Sequence, residues 1–108
     1  MSDKMTEAVT RNFEANRYEI QVDGNLAGVV EYNEHDGRID MTHTEVVQEH
    51  RGTGTAGALA GGAIVDAVNR ELIIVPTCPY IENYLRRHTI AGAKVEWPRE
   101  DVEWPRED

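Results

Sequence analysis

Cysteine is almost missing. Cys78 is the only one among the chain's 108 residues, so neither an intramolecular disulfide nor a zinc cluster built on cysteines is available. Positive charge is scarce as well. Eleven Lys and Arg stand against 20 Asp and Glu, a net charge of −9, and general binding to nucleic acid or an anionic membrane needs a basic face. No apolar run reaches the roughly 18 residues of a membrane span, and no signal-peptide core is seen. A soluble cytoplasmic protein is expected. With 40% hydrophobic residues the chain still fits one small globular domain, near the lower end of self-sufficiency.

What is present in quantity is glycine, concentrated in one place. The stretch Glu49-His50-Arg51-Gly52-Thr53-Gly54-Thr55-Ala56-Gly57 separates a strand expected over residues 38–47 from a small-residue helix expected over about residues 53–70. Such a turn lets backbone N–H groups approach a phosphate, and the dipole of the following helix favours the same anion. Arg51 adds a cation at its start. Two fingerprints overlap. Gly52-x-Gly54-x-x-Gly57 fits a dinucleotide pattern, which needs a carboxylate about 20 positions on, at the end of the next strand. That strand, Leu72-Ile73-Ile74-Val75, runs into Pro76-Thr77-Cys78-Pro79 and offers none. Arg51-x-x-Gly54-x-Ala56 fits a different pyrophosphate pattern, Q/R-x-x-G-x-G/A. A structural turn without a ligand stays open.

Around the turn the periodicities are readable. Tyr18-Glu19-Ile20-Gln21-Val22 and part of residues 26–32 alternate at period two, with Asp23-Gly24-Asn25 as a tight turn between them. His35-Asp36-Gly37 is a second turn, so three strands form an antiparallel meander, and Ala8-Val9-Thr10 suits an edge strand. In the helix, Ala56, Ala60, Ala63 and Ala67 line one face, beside Leu59, Ile64 and Val68. Gly57, Gly61 and Gly62 each cost about 1 kcal/mol there, which suggests a very close neighbour. Residues 72–76 then form a buried strand parallel to that of residues 38–47. Pro79 suits the first turn of a second helix with Tyr80, Ile81, Tyr84 and Leu85 on its apolar face, and residues 94–97 a last strand. Residues 1–7 are polar and expected to fray; residues 8–97 form the domain.

The chain closes on a tandem repeat, Val95-Glu96-Trp97-Pro98-Arg99-Glu100-Asp101 and the same seven letters from Val102 to Asp108. A proline in each copy forbids a coiled-coil helix. Residues 98–108 read as an acidic tail, either a plain duplication or a tryptophan-bearing peptide for a partner.

Taken together, these features resemble a short, roughly hundred-residue subgroup of the GNAT acetyltransferase superfamily. The resemblance covers about residues 8–90 and rests on Thr42-His43-Thr44-Glu45-Val46, Arg51-x-x-Gly54-x-Ala56, Cys78-Pro79-Tyr80 and Tyr84-Leu85-Arg86-Arg87-His88. It departs at Thr89, where the subgroup has proline, and the chain lacks the N-terminal helices that usually help hold the acceptor. The resemblance implies an α/β fold: a mixed, mostly antiparallel sheet with a central helix and a second C-terminal helix. It implies acetyl-CoA as cofactor, an amine as acceptor, no metal, and transfer either directly or through Cys78.

The candidate residues follow. Cys78, at an N-cap-like position, and His43 are the catalytic candidates, since a thiol within reach of an imidazole is an activated nucleophile. His43 shares strand parity with Ile39 and Met41, so a core histidine competes with that role. Glu45 is a candidate base and, with Val46, Val47, Arg51, Gly52, Thr53, Gly54, Thr55 and Ala56, lies along the cofactor path the resemblance implies. Tyr84 and Arg87 complete that path, and one of Arg86, Arg87 and His88 is expected at a CoA phosphate. Rival readings are a non-catalytic CoA- or acyl-CoA-binding module and a protein-interaction domain. A monomer is expected.

Overall fold

A computed structural model describes residues 7–97. The expected frayed N-terminus, except Glu7, and the acidic tail of residues 98–108 lie outside the described residues. The sheet has six strands in sequence order: β1 (Glu7–Asn12), β2 (Arg17–Val22), β3 (Asn25–His35), β4 (Arg38–Val46), β5 (Ile73–Pro76) and β6 (Lys94–Val95). Strands β1 to β4 pair antiparallel, whereas β5 and β6 add in parallel. Helix α1 (Thr55–Asn69) makes the crossover between β4 and β5, and α2 (Pro79–Arg87) follows β5. Glu7 is thus part of an edge strand rather than frayed. The second helix and the turns fall where expected, while α1 starts at Thr55 rather than 53 and β6 ends at Val95 rather than 97.

The β2–β3 and β3–β4 hairpin turns use the Asp-Gly chemistry of the sequence. Asp23 and Gly24 take φ of 52° and 84°, Asp36 and Gly37 take 49° and 76°, the positive values a two-residue hairpin loop needs. Helix α1 covers the sheet with Leu59, Ala60, Ala63, Ile64 and Ala67, all fully buried, against Tyr18, Ile20, Val30, Ile39, Met41 and Ile74. Its small residues permit close approach. A Cβ on Gly62 would lie 2.9 Å from three carbons of Val9, and one on Gly61 2.9 Å from the Tyr84 hydroxyl. A polar tie completes the seat: the Tyr18 hydroxyl donates to Asp66 at 2.6 Å. Burial and the Asp66 carboxylate push that phenol far above its ordinary range.

Two bulges break the simple alternation. Ile20 pairs with Gly28 but Gln21 with Leu26, so Ala27 is the extra residue in β3. Tyr32 pairs with Met41 but Glu31 with His43, so Thr42 is the extra residue in β4. An extra residue reverses which side chains face the core. Ile39 and Met41 point inward before it; after it, Val46 is buried and His43 and Glu45 are exposed. The shared parity of His43 with Met41 therefore does not survive, and His43 is not a core histidine.

Candidate functional site

The split between β4 and β5 makes the site. Their pairing runs from Arg38 with Ile73 to Met41 with Pro76, and the Cys78 N–H donates to the Met41 carbonyl at 2.8 Å. Immediately beyond, Thr42 bulges, its hydroxyl donating to the Glu31 carbonyl at 3.3 Å. On the other side the chain turns at Cys78, whose extended backbone caps α2, with Pro79 in the first turn. Residues 42–46 are thereby left without a strand partner on their β5 side, among the described residues. A cavity of about 360 Å³ opens there, lined by His43, Thr44, Glu45, Val46, Arg51, Ala56 and Tyr80. A second, of about 250 Å³, lies between the start of α1 and α2 and includes Gly54, Gly57, Tyr80, Tyr84 and Arg87. Tyr80 lines both. A third, of about 500 Å³, includes Leu26, Val29 and Val47 and shares Glu45, Val46 and Arg51 with the first.

At the junction of the first two cavities sits the glycine turn. Gly54 caps α1 with φ of 90°, and Gly52 takes 79°, conformations that disfavour any side chain although neither site is crowded. The cap carries no side-chain hydrogen bond, and no acidic residue stands in the first turn. The amides of Thr55, Ala56 and Gly57 have no intrahelical acceptor at this position. They form an open donor set at the positive end of the helix dipole. Arg51 is tied down beside it, its Nε donating to the Val46 carbonyl at 3.0 Å. The threonines act within the turn: Thr53 donates to the His50 carbonyl at 2.6 Å and lies 3.0 Å from the Thr55 hydroxyl, which is buried. Of the expected cofactor contacts, Gly52, Thr53 and Thr55 line none of the three cavities; they shape the turn.

Cys78 and His43 do not form the expected pair. The Cys78 Sγ, buried, lies 3.3 Å from the Thr44 hydroxyl, while His43 is half-exposed with its Nε2 3.4 Å from Glu45 Oε1. The bulge at Thr42 is the cause: it substitutes Thr44 for His43 opposite the thiol. Among the arginines that end α2, Arg87 lines a cavity, whereas Arg86 bonds Glu82 at 3.1 Å and stacks 4.3 Å from the centre of the Trp97 ring. Tyr84 stacks on His88 with ring centres 4.1 Å apart. Two residues outside the candidates border these features: Thr44, at Cys78 and in the first cavity, and Tyr80, in the first two cavities. Helical spacing puts Tyr80 on the apolar face, yet it is 39% exposed. Burial first, then the Tyr84 phenol, raises its pKa, so the hydroxyl holds its proton at neutral pH. Its spacing of four from Tyr84 was the signal available, since i and i+4 share a helix face.

No helix among the described residues is long and apolar enough to cross a membrane. A family model described as GCN5-related N-acetyl-transferase matches residues 17–94, from β2 to the first residue of β6. No curated protein matches the chain. The match takes in both bulges, the glycine turn and Cys78. The chain belongs to the GCN5-related N-acetyl-transferase family.

Proposed function

We propose that this chain binds acetyl-CoA and moves its acetyl group to an amine. The observation that carries the reading is the uncapped, glycine-shaped start of α1 at the mouth of the β4–β5 split. Donors there suit a pyrophosphate, and the acid-free first turn does not compete for them. Arg51 and Arg87 supply cations on either side of the turn, in a chain otherwise poor in them. The unpaired edge of residues 42–46 offers backbone groups to the pantetheine arm.

Acetyl-CoA supplies a thioester carbonyl, whose transfer to an amine requires that the amine lose a proton and the departing sulfur be stabilised. Glu45 and His43, adjacent on the exposed side of β4, are the groups that take the amine proton. Tyr80, protonated and lining both cavities, holds the proton that the departing sulfur needs. Cys78 is buried with Thr44 as its partner, so direct transfer fits this site better than a route through an acetylated cysteine.

The test is ligand stabilisation. Acetyl-CoA should raise the melting temperature by binding the native state. Gly54→Asp should remove that rise, because it puts a side chain at φ 90° and a negative charge in the donor set. Stabilisation by NAD and not by acetyl-CoA would defeat the proposal. Specific CoA binding without acetyl transfer to any amine would leave a non-catalytic CoA-binding module.

A further inference from the structure

The seat of the first repeat copy is specific at three successive residues. Val95 pairs with Ile74 on the sheet edge, and the Glu96 N–H donates to the Ile74 carbonyl at 2.9 Å. The Glu96 carboxylate accepts from Arg38 Nε at 2.7 Å. The Arg86 guanidinium then lies 4.3 Å from the centre of the Trp97 ring. A strand edge, a cation for a carboxylate and a cation for an aromatic face together read the letters Val-Glu-Trp. The chain carries those letters a second time, as Val102-Glu103-Trp104.

We infer that the groove formed by Ile74, Arg38 and Arg86 is a peptide-binding site with two occupants in the same chain. Val102-Glu103-Trp104 seats there in place of Val95-Glu96-Trp97. The two copies differ only in the residue before the valine, Lys94 against Asp101, and Lys94 is exposed, so its identity contributes little to the seat. Exchange lengthens the connection after α2 from residues 88–93 to residues 88–100. By the slow growth of loop-closure entropy, that roughly doubled length lowers the occupancy of the second copy only about threefold. Covalent attachment keeps its effective concentration high, so exchange within one chain outcompetes exchange between chains. Substitutions that disable the first copy are thereby compensated by the second.

Single-tryptophan reporters in the full chain test this by acrylamide quenching. With Trp97→Phe alone, the first copy keeps its strand pairing and its Arg38 contact and still competes for the seat, so Trp104 should show only part of the protection of a seated tryptophan. Adding Glu96→Lys sets two cations against each other at Arg38. Trp104 should then become protected to the level of Trp97 in a Trp104→Phe chain, independently of protein concentration. Adding Glu103→Lys to that variant should expose Trp104 again. Full access of Trp104 in the Glu96→Lys, Trp97→Phe chain, or access no lower than with Trp97→Phe alone, would overturn the inference. So would protection that survives Glu103→Lys, or that appears only at high protein concentration. Circular dichroism checks the fold of each variant, and Glu96→Gln replaces Glu96→Lys with the same readout if the lysine chain unfolds.

Discussion

The Cys78 Sγ lies 3.3 Å from the Thr44 hydroxyl, and the extra residue Thr42 in β4 decides that Thr44, not His43, meets it. Reactivity of the thiol should follow that geometry. Thr44→Ala opens space beside a buried sulfur and should speed its alkylation, whereas His43→Ala should leave the rate unchanged. Because Cys78 is the only thiol, the rates need no site mapping. An effect of His43→Ala as large as that of Thr44→Ala would show that the imidazole reaches the sulfur in solution.

The helix glycines should divide into two kinds. Gly57→Ala places a methyl no closer than 3.8 Å to the Tyr80 hydroxyl, an ordinary contact. It should raise stability by up to about 1 kcal/mol through helix propensity alone. Gly62→Ala meets three Val9 carbons at 2.9 Å and should lose more than it gains, for a net cost of about 1–3 kcal/mol. Thermal melts of the two variants give the comparison. Equal gains would mean that β1 yields without cost.

How far the sequence reached follows from range. The hairpins were legible because Asp23-Gly24 and Asp36-Gly37 set their turns locally, and α1 and α2 because alanine spacing and Pro79 mark them. The glycine turn was legible because positive φ at Gly52 and Gly54 depends on those residues alone. The bulge at Thr42 was not. It depends on how β4 is registered against β3 while parting from β5, and Thr42-His43-Thr44 continues the alternation without a glycine or proline to mark the break. The false parity of His43 with Met41, and the missing signal for Thr44 beside Cys78, come from that one residue. Tyr80 is hidden for another reason: helical periodicity shows which residues share a face, not which of them border a cavity.

Acid should weaken the fold partly through Glu19. Asn12 donates to its carboxylate at 3.0 Å and Arg17 at 2.9 Å, and these contacts hold its pKa below the ordinary glutamate value. A carboxylate depressed in the folded state contributes stability above its unfolded pKa and loses it as pH falls through the folded value. Glu19→Gln should therefore be less stable than the parent at neutral pH, with the difference closing in acid. Melting temperatures between neutral pH and pH about 3 supply the check. Parallel curves would remove Glu19 from the acid response.

Arg51 is the sharpest test of the cofactor reading, because one guanidinium has two duties. Its Nε is committed to the Val46 carbonyl, which holds the turn against the end of β4, and the residue also borders the cavity. Arg51→Ala removes both and should lower both the melting temperature and acetyl-CoA affinity, the latter by about 1–3 kcal/mol for a charge-assisted contact. Arg51→Lys keeps the charge but cannot reproduce the planar fork that reaches Val46. It should regain part of the affinity while staying as unstable as Arg51→Ala. Isothermal titration beside thermal melts separates the two quantities. If neither substitution changes affinity, Arg51 only braces the turn and the pyrophosphate contact belongs to the backbone amides. If lysine restores stability in full, the Val46 contact is dispensable and the turn holds through its glycines and threonines alone.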